Sequence, residues 1–414
     1  MEKVIEKICV ETPIKVGNVD LPNRIVLQPM EGCDGEFDGA IGELTARRYM
    51  RFAESGAAII WLEAVAVCKE GRANPRQLFL NDGTKSSFEK LIKDIKARAQ
   101  EKFGVAPLVV MQMTHSGRYS KPNGSPEPLV AYRNAVWESG KETLPYKIVS
   151  DEYCDNIVVN YAKSAKLATE VGFDAVDVKC CHGYLFDEFL SAFDRDGKYG
   201  GSLENRTRLY FDCVSAVQNN IGEKMFVTTR LNACDCFDFH CGYGVNEKNE
   251  IDLTETKWII SHLREKGVRL VNLSIGNPYV IPHINRPCLN APESGEVGLA
   301  RIWKVTQEIQ QAFGDMTIIA SGLTFPQEKC MEYANEMLDQ GVAKMVGFGR
   351  MSFAYPQFFQ DYIRDGKLDK NKCCLRCSKC TELMRNGSVT GCPIRDKEIY
   401  MPLYQKFVLK KESL

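Results

Sequence analysis

Five cysteines crowd the stretch CCLRCSKCTELMRNGSVTGCP, from Cys373 to Pro393, and thiols at that density can hold a metal centre. The spacing Cys374-x2-Cys377-x2-Cys380-x11-Cys392, with Cys373 as a substitute for Cys374, suits an iron–sulfur cluster. Four cysteines can equally hold structural zinc, and unligated thiols are the third reading. A second set of residues stands at the ends of apolar runs: Glu31, Gln112, Lys179, His182, Tyr184 and Arg230. Taken singly, such a residue is more often a cap than a catalyst. Converging on one mouth, they would supply a cation, hydrogen-bond donors and a proton source. The last two runs end in SGLT (Ser321 to Thr324) and GFGR (Gly347 to Arg350). There glycine allows close backbone approach, and a following helix offers free N–H groups to a phosphate.

The elements that must position these residues are legible as alternation. Short apolar or β-branched runs begin at Arg24, Ala57, Pro107, Asp174, Met225, Val268, Thr317 and Ala343. Between them lie amphipathic stretches such as SSFEKLIKDIKARAQEKF and NIVVNYAKSAKLATEVGF. Near-continuous apolar strands alternating with helices imply a parallel sheet covered on both faces. Eight such units predict an α/β protein of the (β/α)8 TIM-barrel type. A doubly wound open sheet gives the same alternation, but no G-x-G-x-x-G follows an early strand. In a barrel the chemistry belongs at the C-terminal ends of the strands, and a phosphate commonly binds after the seventh and eighth.

Composition excludes several classes of function. The 414 residues are 44% hydrophobic and 26% charged with net charge -1, so no basic field exists for nucleic acid or anionic lipid. The opening MEKVIEKICVETPIK has no apolar core of a secretory signal. The apolar run from Ala57 to Cys68 is interrupted by Glu63 and is too short for a membrane span. Seventeen scattered cysteines lack the dense spacing of a secreted disulfide framework, which points to a reducing, cytoplasmic setting. Within that set, Cys180 and Cys181 stand at a strand end, where adjacent residues point opposite ways and at least one reads as core. The loop ACDCFDFHCGYG, with Cys234, Cys236, His240 and Cys241, reads as a pocket wall whose spacings fit metal sites poorly.

The chain resembles the old yellow enzyme family of FMN oxidoreductases, in the branch typified by bacterial 2,4-dienoyl-CoA reductase and trimethylamine dehydrogenase. VGNVDLPNRIVLQPMEG is similar to that family's opening hairpin and first strand, and MQMTHSGR (Met111 to Arg118) to its Q-L-x-H-x-G-R. The most specific match is GFDAVDVKCCHGYLFDEFLSAFDRDGKYGGSLENRTRL, Gly172 to Leu209, and the likeness continues through Arg230 and GFGR to about Pro356. The resemblance implies a barrel over residues 1–360, capped by an N-terminal hairpin, and a C-terminal cysteine-rich extension over residues 361–414. It implies FMN over the barrel mouth, with Gln112 at the pyrimidine edge and Arg230 near N1 and O2. Gly322, Gly349 and Arg350 would hold the phosphate, and Pro29, Met30, Glu31 and Ala64 would lie near the ring.

The implied reaction is hydride transfer from flavin N5 to the β-carbon of an α,β-unsaturated carbonyl compound: an enone, a steroid-like enone or an enoyl thioester. His182 and Tyr184 would bind the substrate oxygen and donate the proton to the α-carbon. Lys179 departs from the family, which usually carries histidine there. A lysine can donate to an enolate, meet a substrate carboxylate, or belong to a pocket whose substrate is not an enone. Glu31 departs as well, standing where threonine or cysteine is usual. A carboxylate beside the flavin disfavours reduction unless it is protonated or turned away.

In this branch a 4Fe-4S cluster held by C-x2-C-x3-C-x11-C follows the barrel, and the interval from Cys380 to Cys392 matches its x11. An FAD and NAD(P)H module follows in the dienoyl-CoA reductases and is not expected here. Either NADH or NADPH reduces FMN directly, or a separate flavoprotein or ferredoxin delivers electrons near the cysteines. Two further readings remain: an electron-transfer flavoprotein subunit serving a redox partner, and an amine dehydrogenase of the trimethylamine type. The second would need an aromatic cage for its cation, against which Lys179 beside Tyr184 argues.

Overall fold

The computed structural model describes residues 7–410. Eight strands close into one parallel barrel. They are β1 (Ile25–Leu27), β2 (Ile59–Ala66), β3 (Leu108–Thr114), β4 (Ala175–Val178), β5 (Phe226–Asn232), β6 (Leu270–Ser274), β7 (Thr317–Ala320) and β8 (Met345–Phe348). Each lies within, or overlaps by all but two residues, one of the eight apolar runs. The ring closes where β8 pairs with β1 through Val346↔Ile25, Gly347↔Val26 and Phe348↔Leu27. The fold is therefore the expected (β/α)8 barrel.

Helices α1 (Glu43–Ala53), α2 (Lys85–Phe103), α3 (Asp151–Glu170), α4 (Leu203–Gln218), α5 (Thr254–Glu265), α6 (Gly295–Ala312), α7 (Cys330–Asp339) and α8 (Phe358–Asp365) follow the strands in turn. In α3 the buried positions Cys154, Ile157, Tyr161, Ser164, Ala165 and Ala168 recur at three- and four-residue steps, which draws one stripe against the barrel. The Ser150 hydroxyl accepts from the Tyr153 N–H at 3.1 Å and starts that helix. Gly172, at φ +91°, turns the chain just beyond its end.

The strands' first residues bury an apolar layer. Val26, Ile59, Trp61, Val110, Ala175, Leu270, Ile319 and Met345 pack together with Val16 and Leu21. The last two belong to an antiparallel hairpin of Ile14–Val16 and Val19–Leu21, so that hairpin plugs the N-terminal end of the barrel. The opposite end is covered by the tail, in which α9 (Lys379–Arg385) and α10 (Lys397–Phe407) follow an irregular stretch. Arg47 and Arg51 of α1 pair with Asp396. The Thr390 N–H donates to the Gly32 carbonyl at 2.6 Å. Arg385 donates to the Pro278 carbonyl at 3.0 Å. These contacts seat α9 against the loops after the strands. Among the described residues, no helix is long and apolar enough to cross a membrane.

Candidate active site

A cleft of about 190 Å³ opens at the C-terminal ends of the strands. Its wall takes Gln28 to Glu31 from the end of β1, Gln112 from β3, and Lys179, His182 and Tyr184 from beyond β4. Arg230 comes from β5, Gly322 from beyond β7, and Gly349 and Arg350 from beyond β8. The residues expected to act on substrate and flavin are thus brought together, with one exception. Ala64 is buried inside β2, outside the lining, and its carbonyl accepts from Gln77 at 3.2 Å.

Buried acceptors beneath the cleft fix its floor. Asp177 of β4 accepts from Gln112 Nε2 at 2.7 Å, from Trp61 Nε1 at 2.9 Å and from the Arg230 N–H at 2.6 Å. Burial raises its carboxyl to about 6, against the pull of those three donors. Gln112 spends its amino group downward, which leaves its carbonyl oxygen for the cleft. Gln28 similarly accepts from Asn272 at 2.7 Å.

The loop after β4 aims the reactive side chains. His182 and Gly183 both adopt left-handed backbone, at φ +69° and +70°, a conformation costly for histidine and found mainly at functional sites. The Asp187 carboxylate holds the turn by accepting from the Gly183 N–H at 2.6 Å. A Cβ at Gly183 would meet Asn277 Nδ2 at 2.3 Å, so only glycine fits there. His182 Nε2 lies 2.9 Å from Ser274 Oγ and 3.2 Å from Asn285 Nδ2. Burial, then the cations Arg230, Lys179 and Arg286, hold its pKa well below the usual range, so the ring is neutral.

Lys179 is 5% exposed and has no carboxylate within salt-bridge distance among the described residues. Its Nζ stands 3.5 Å from the centroid of the Tyr184 ring. Burial lowers its pKa, and Cys181 and Glu31 oppose that shift. The Tyr184 hydroxyl donates to Glu31 Oε1 at 2.9 Å and lies 2.9 Å from the Tyr279 hydroxyl. Burial, with Glu31 next, pushes the Tyr184 phenol well above its ordinary pKa, so it keeps its proton. Glu31 Oε1 thus faces the Tyr184 hydroxyl.

Whether FMN fits can be judged from donors that lack a partner. Gln28 Nε2, Arg230 Nε and Arg350 Nη1 are buried without a hydrogen-bond partner, and all three residues line this cleft. Such groups are costly to leave unpaired. At Gly349 a Cβ would crowd Met30 Sδ at 2.9 Å, and Gly322 sits at φ +85°. The residues present fit an anionic, multiply accepting ligand laid across the mouth.

Sequence reasoning missed part of the wall. Pro278, Tyr279, Asn285 and Arg286 come from the loop after β6, and Thr381, Met384 and Arg385 from α9. Neither segment carries a pattern that signals a pocket.

The cysteines behave unequally. Cys373 is fully buried, its thiol donating to the Asp369 carbonyl at 3.4 Å. Cys374 Sγ accepts from the Arg376 N–H and Cys392 Sγ from the Arg395 N–H, each at 3.4 Å. Cys377 and Cys380 are near enough to Cys374 to raise its pKa. Among the described residues, however, no three His, Cys, Asp or Glu side chains converge to hold a metal ion. Burial pushes the Cys392 thiol up to about 11. Cys180 and Cys181 are both fully buried, as a core role requires. Cys234 and Cys236 lie with sulfurs 3.2 Å apart in the loop after β5.

Comparison with known proteins agrees with this geometry. Residues 11–367 match the NADH:flavin oxidoreductase / NADH oxidase family. The chain is similar to an NADPH dehydrogenase of Bacillus subtilis, 28% identical over 353 residues that make up 84% of this chain and 92% of that one. Among solved structures it is similar to a 2-naphthoyl-CoA reductase, with TM-score 0.77 and 18% identity, covering 96% of this chain and 58% of that chain. Morphinone reductase gives TM-score 0.68 at 19% identity, over 89% of this chain and 93% of that one. At such identities the two structures speak to the fold. This chain spans little more than half the length of the 2-naphthoyl-CoA reductase.

Proposed function

The chain belongs to the NADH:flavin oxidoreductase / NADH oxidase family, the old yellow enzymes, and is an FMN-dependent oxidoreductase; from that premise we propose that it reduces the C=C bond of an α,β-unsaturated carbonyl compound. Bound FMN supplies the hydride, drawn from NADH or NADPH. The observation that carries the reading is the cleft itself: three buried donors without partners beside a buried ammonium, a neutral imidazole and a protonated phenol.

Each side chain has a task that its surroundings support. Arg350, with the backbone at Gly322 and Gly349, holds the phosphate. Gln112 and Arg230 hold the pyrimidine edge, where the Arg230 cation offsets negative charge. Lys179 and His182 face the substrate oxygen, on which charge grows as hydride adds to the β-carbon. A buried ammonium stabilises that charge more strongly than a neutral histidine does. Tyr184 holds the proton for the α-carbon, because its raised pKa keeps the phenol charged with hydrogen until the carbanion develops. Enclosure by the loop after β6 and by α9 limits water at the reacting carbons.

The tail cysteines form a second part of the proposal: a 4Fe-4S cluster held by Cys374, Cys377, Cys380 and Cys392. Two backbone N–H groups already point at Cys374 and Cys392 sulfurs, as bonds to cluster thiolates do. The cations Arg350 and Arg286 neighbour Cys374 and Cys380 and would offset thiolate charge. Cys373, bonded to Asp369, is left out. Binding would have to draw the four sulfurs together from their present separation.

The test is reduction of a simple enone by the FMN-loaded protein with NADPH. Tyr184→Phe should abolish alkene reduction while flavin reduction by NADPH survives. A chain that serves only as an electron carrier would pass electrons to an acceptor equally well with either residue. Iron and acid-labile sulfide assays on anaerobically purified protein decide the cluster; zinc in their place would reassign the cysteines.

A further inference from the structure

Protonation by Tyr184 leaves a question of supply. Every turnover removes the phenolic proton, yet Tyr184 is only 3% exposed, so water has little direct access to it. Two groups touch its hydroxyl: Glu31 Oε1 and the Tyr279 hydroxyl, each at 2.9 Å. Tyr279 is stacked on Tyr119 with centroids 3.8 Å apart, and burial pushes its own phenol well above the ordinary range, so it too holds its proton tightly. Glu31 differs in kind. It is half-buried, lines the cleft and carries a carboxyl group, which trades protons with water far more readily than a phenol does.

We propose that Glu31 is the proton relay that recharges Tyr184, an inference that rests on Tyr184 being the proton donor to the alkene. The balance is simple. The Tyr184 O–H bond breaks as the C–H bond at the α-carbon forms, leaving a phenolate. The Glu31 carboxylate then takes up a solvent proton and passes it to the phenolate oxygen along the existing 2.9 Å contact. That transfer restores the Glu31 carboxylate for the next turnover, and no electrons move in either step.

The surroundings favour such a relay. The Lys179 ammonium, 3.5 Å from the Tyr184 ring centroid, stabilises the phenolate while it exists. The segment that carries Glu31 is pinned on both sides of the next peptide. The Gly32 N–H donates to Glu63 Oε2 at 2.7 Å, and the Gly32 carbonyl accepts from the Thr390 N–H at 2.6 Å. The titratable groups that face Glu31 are Lys179, Cys33, Glu63, Tyr184 and Tyr279. Of these, Tyr184 occupies one oxygen of the Glu31 carboxylate.

Glu31→Gln keeps the shape and the acceptor but cannot carry a proton. In the FMN-loaded enzyme, prereduced anaerobically and mixed with an enone, the first turnover should stay within about threefold of the parent, because Tyr184 starts charged. Steady-state turnover should fall about 10- to 100-fold, and added acetate or formate should restore part of it. An infrared readout needs no activity: Tyr184→Phe should shift the carboxyl band that Glu31→Gln removes. Steady-state turnover equal to the parent overturns the relay. So does an equal loss in first and later turnovers without rescue by small acids, which would place the role of Glu31 in positioning alone. If the parent itself reduces no alkene, the enzyme reading falls instead. The infrared band then decides alone: an unshifted band overturns the proton-sharing pair.

Discussion

The two ends of the barrel are closed in opposite ways. At the N-terminal end the hairpin's Val16 and Leu21 meet an apolar layer from Val26, Ile59, Trp61, Leu270 and Met345, and the buried polar Asn23 and Arg24 there donate to backbone carbonyls. At the C-terminal end the closing material is a loop and the tail helix, and beneath them lie buried donors with no partner. The same strands serve both ends, so the difference arises from residues three or four positions apart. One end is built to be stable alone, and the other is incomplete without a ligand.

That contrast can be broken from either side. The largest effect is expected at the open end: Tyr184→Phe should lower alkene reduction by about 100-fold or more, measured as steady-state NADPH oxidation with an enone, with thermal stability little changed. At the plugged end Leu270→Ala should do the reverse. The cavity it leaves should cost roughly 2–5 kcal/mol in denaturant unfolding, while turnover per folded molecule stays near the parent's.

A smaller, pH-dependent effect sharpens the comparison. Burial raises Asp177 to about 6, so the folded chain holds a proton there that the unfolded chain releases near 4. Its contribution to stability is present at low pH and is lost as pH rises from about 4 to about 6. Glu188, raised to about 7 by burial despite Arg118, adds to the same trend. Urea midpoints across pH 4–7 should therefore fall, less steeply in Asp177→Asn. The smallest effect is expected away from both ends. Lys257 and Glu308, an exposed pair at 2.8 Å, should contribute no more than about 0.5 kcal/mol, so Lys257→Ala should barely move the midpoint.

The two ends also differ in how far they could be read from sequence. All eight strands were legible because a strand buried on both faces is an apolar run, whatever its neighbours are. Lys179, His182, Tyr184 and Arg230 were legible because each sits at or shortly beyond the end of such a run. Ala64 was placed near the flavin by resemblance, yet it lies within a strand that its own neighbours cover. Tyr279, Arg286, Thr381 and Arg385 escaped notice since they reach the cleft through a long loop and a distant tail, where no periodicity marks the approach. The contact between Glu31 and Tyr184 spans 153 positions, and only the closed barrel brings the two together.

The central claim is that the open end works by loading FMN and passing hydride to an activated alkene. Its most direct test is the flavin absorbance of the FMN-loaded protein, bleached anaerobically with NADPH and then mixed with 2-cyclohexenone. The account predicts rapid return of the oxidised flavin band in the parent and a far slower return in Tyr184→Phe. A parent protein that binds FMN and is bleached, yet stays bleached with every activated alkene offered, would contradict it.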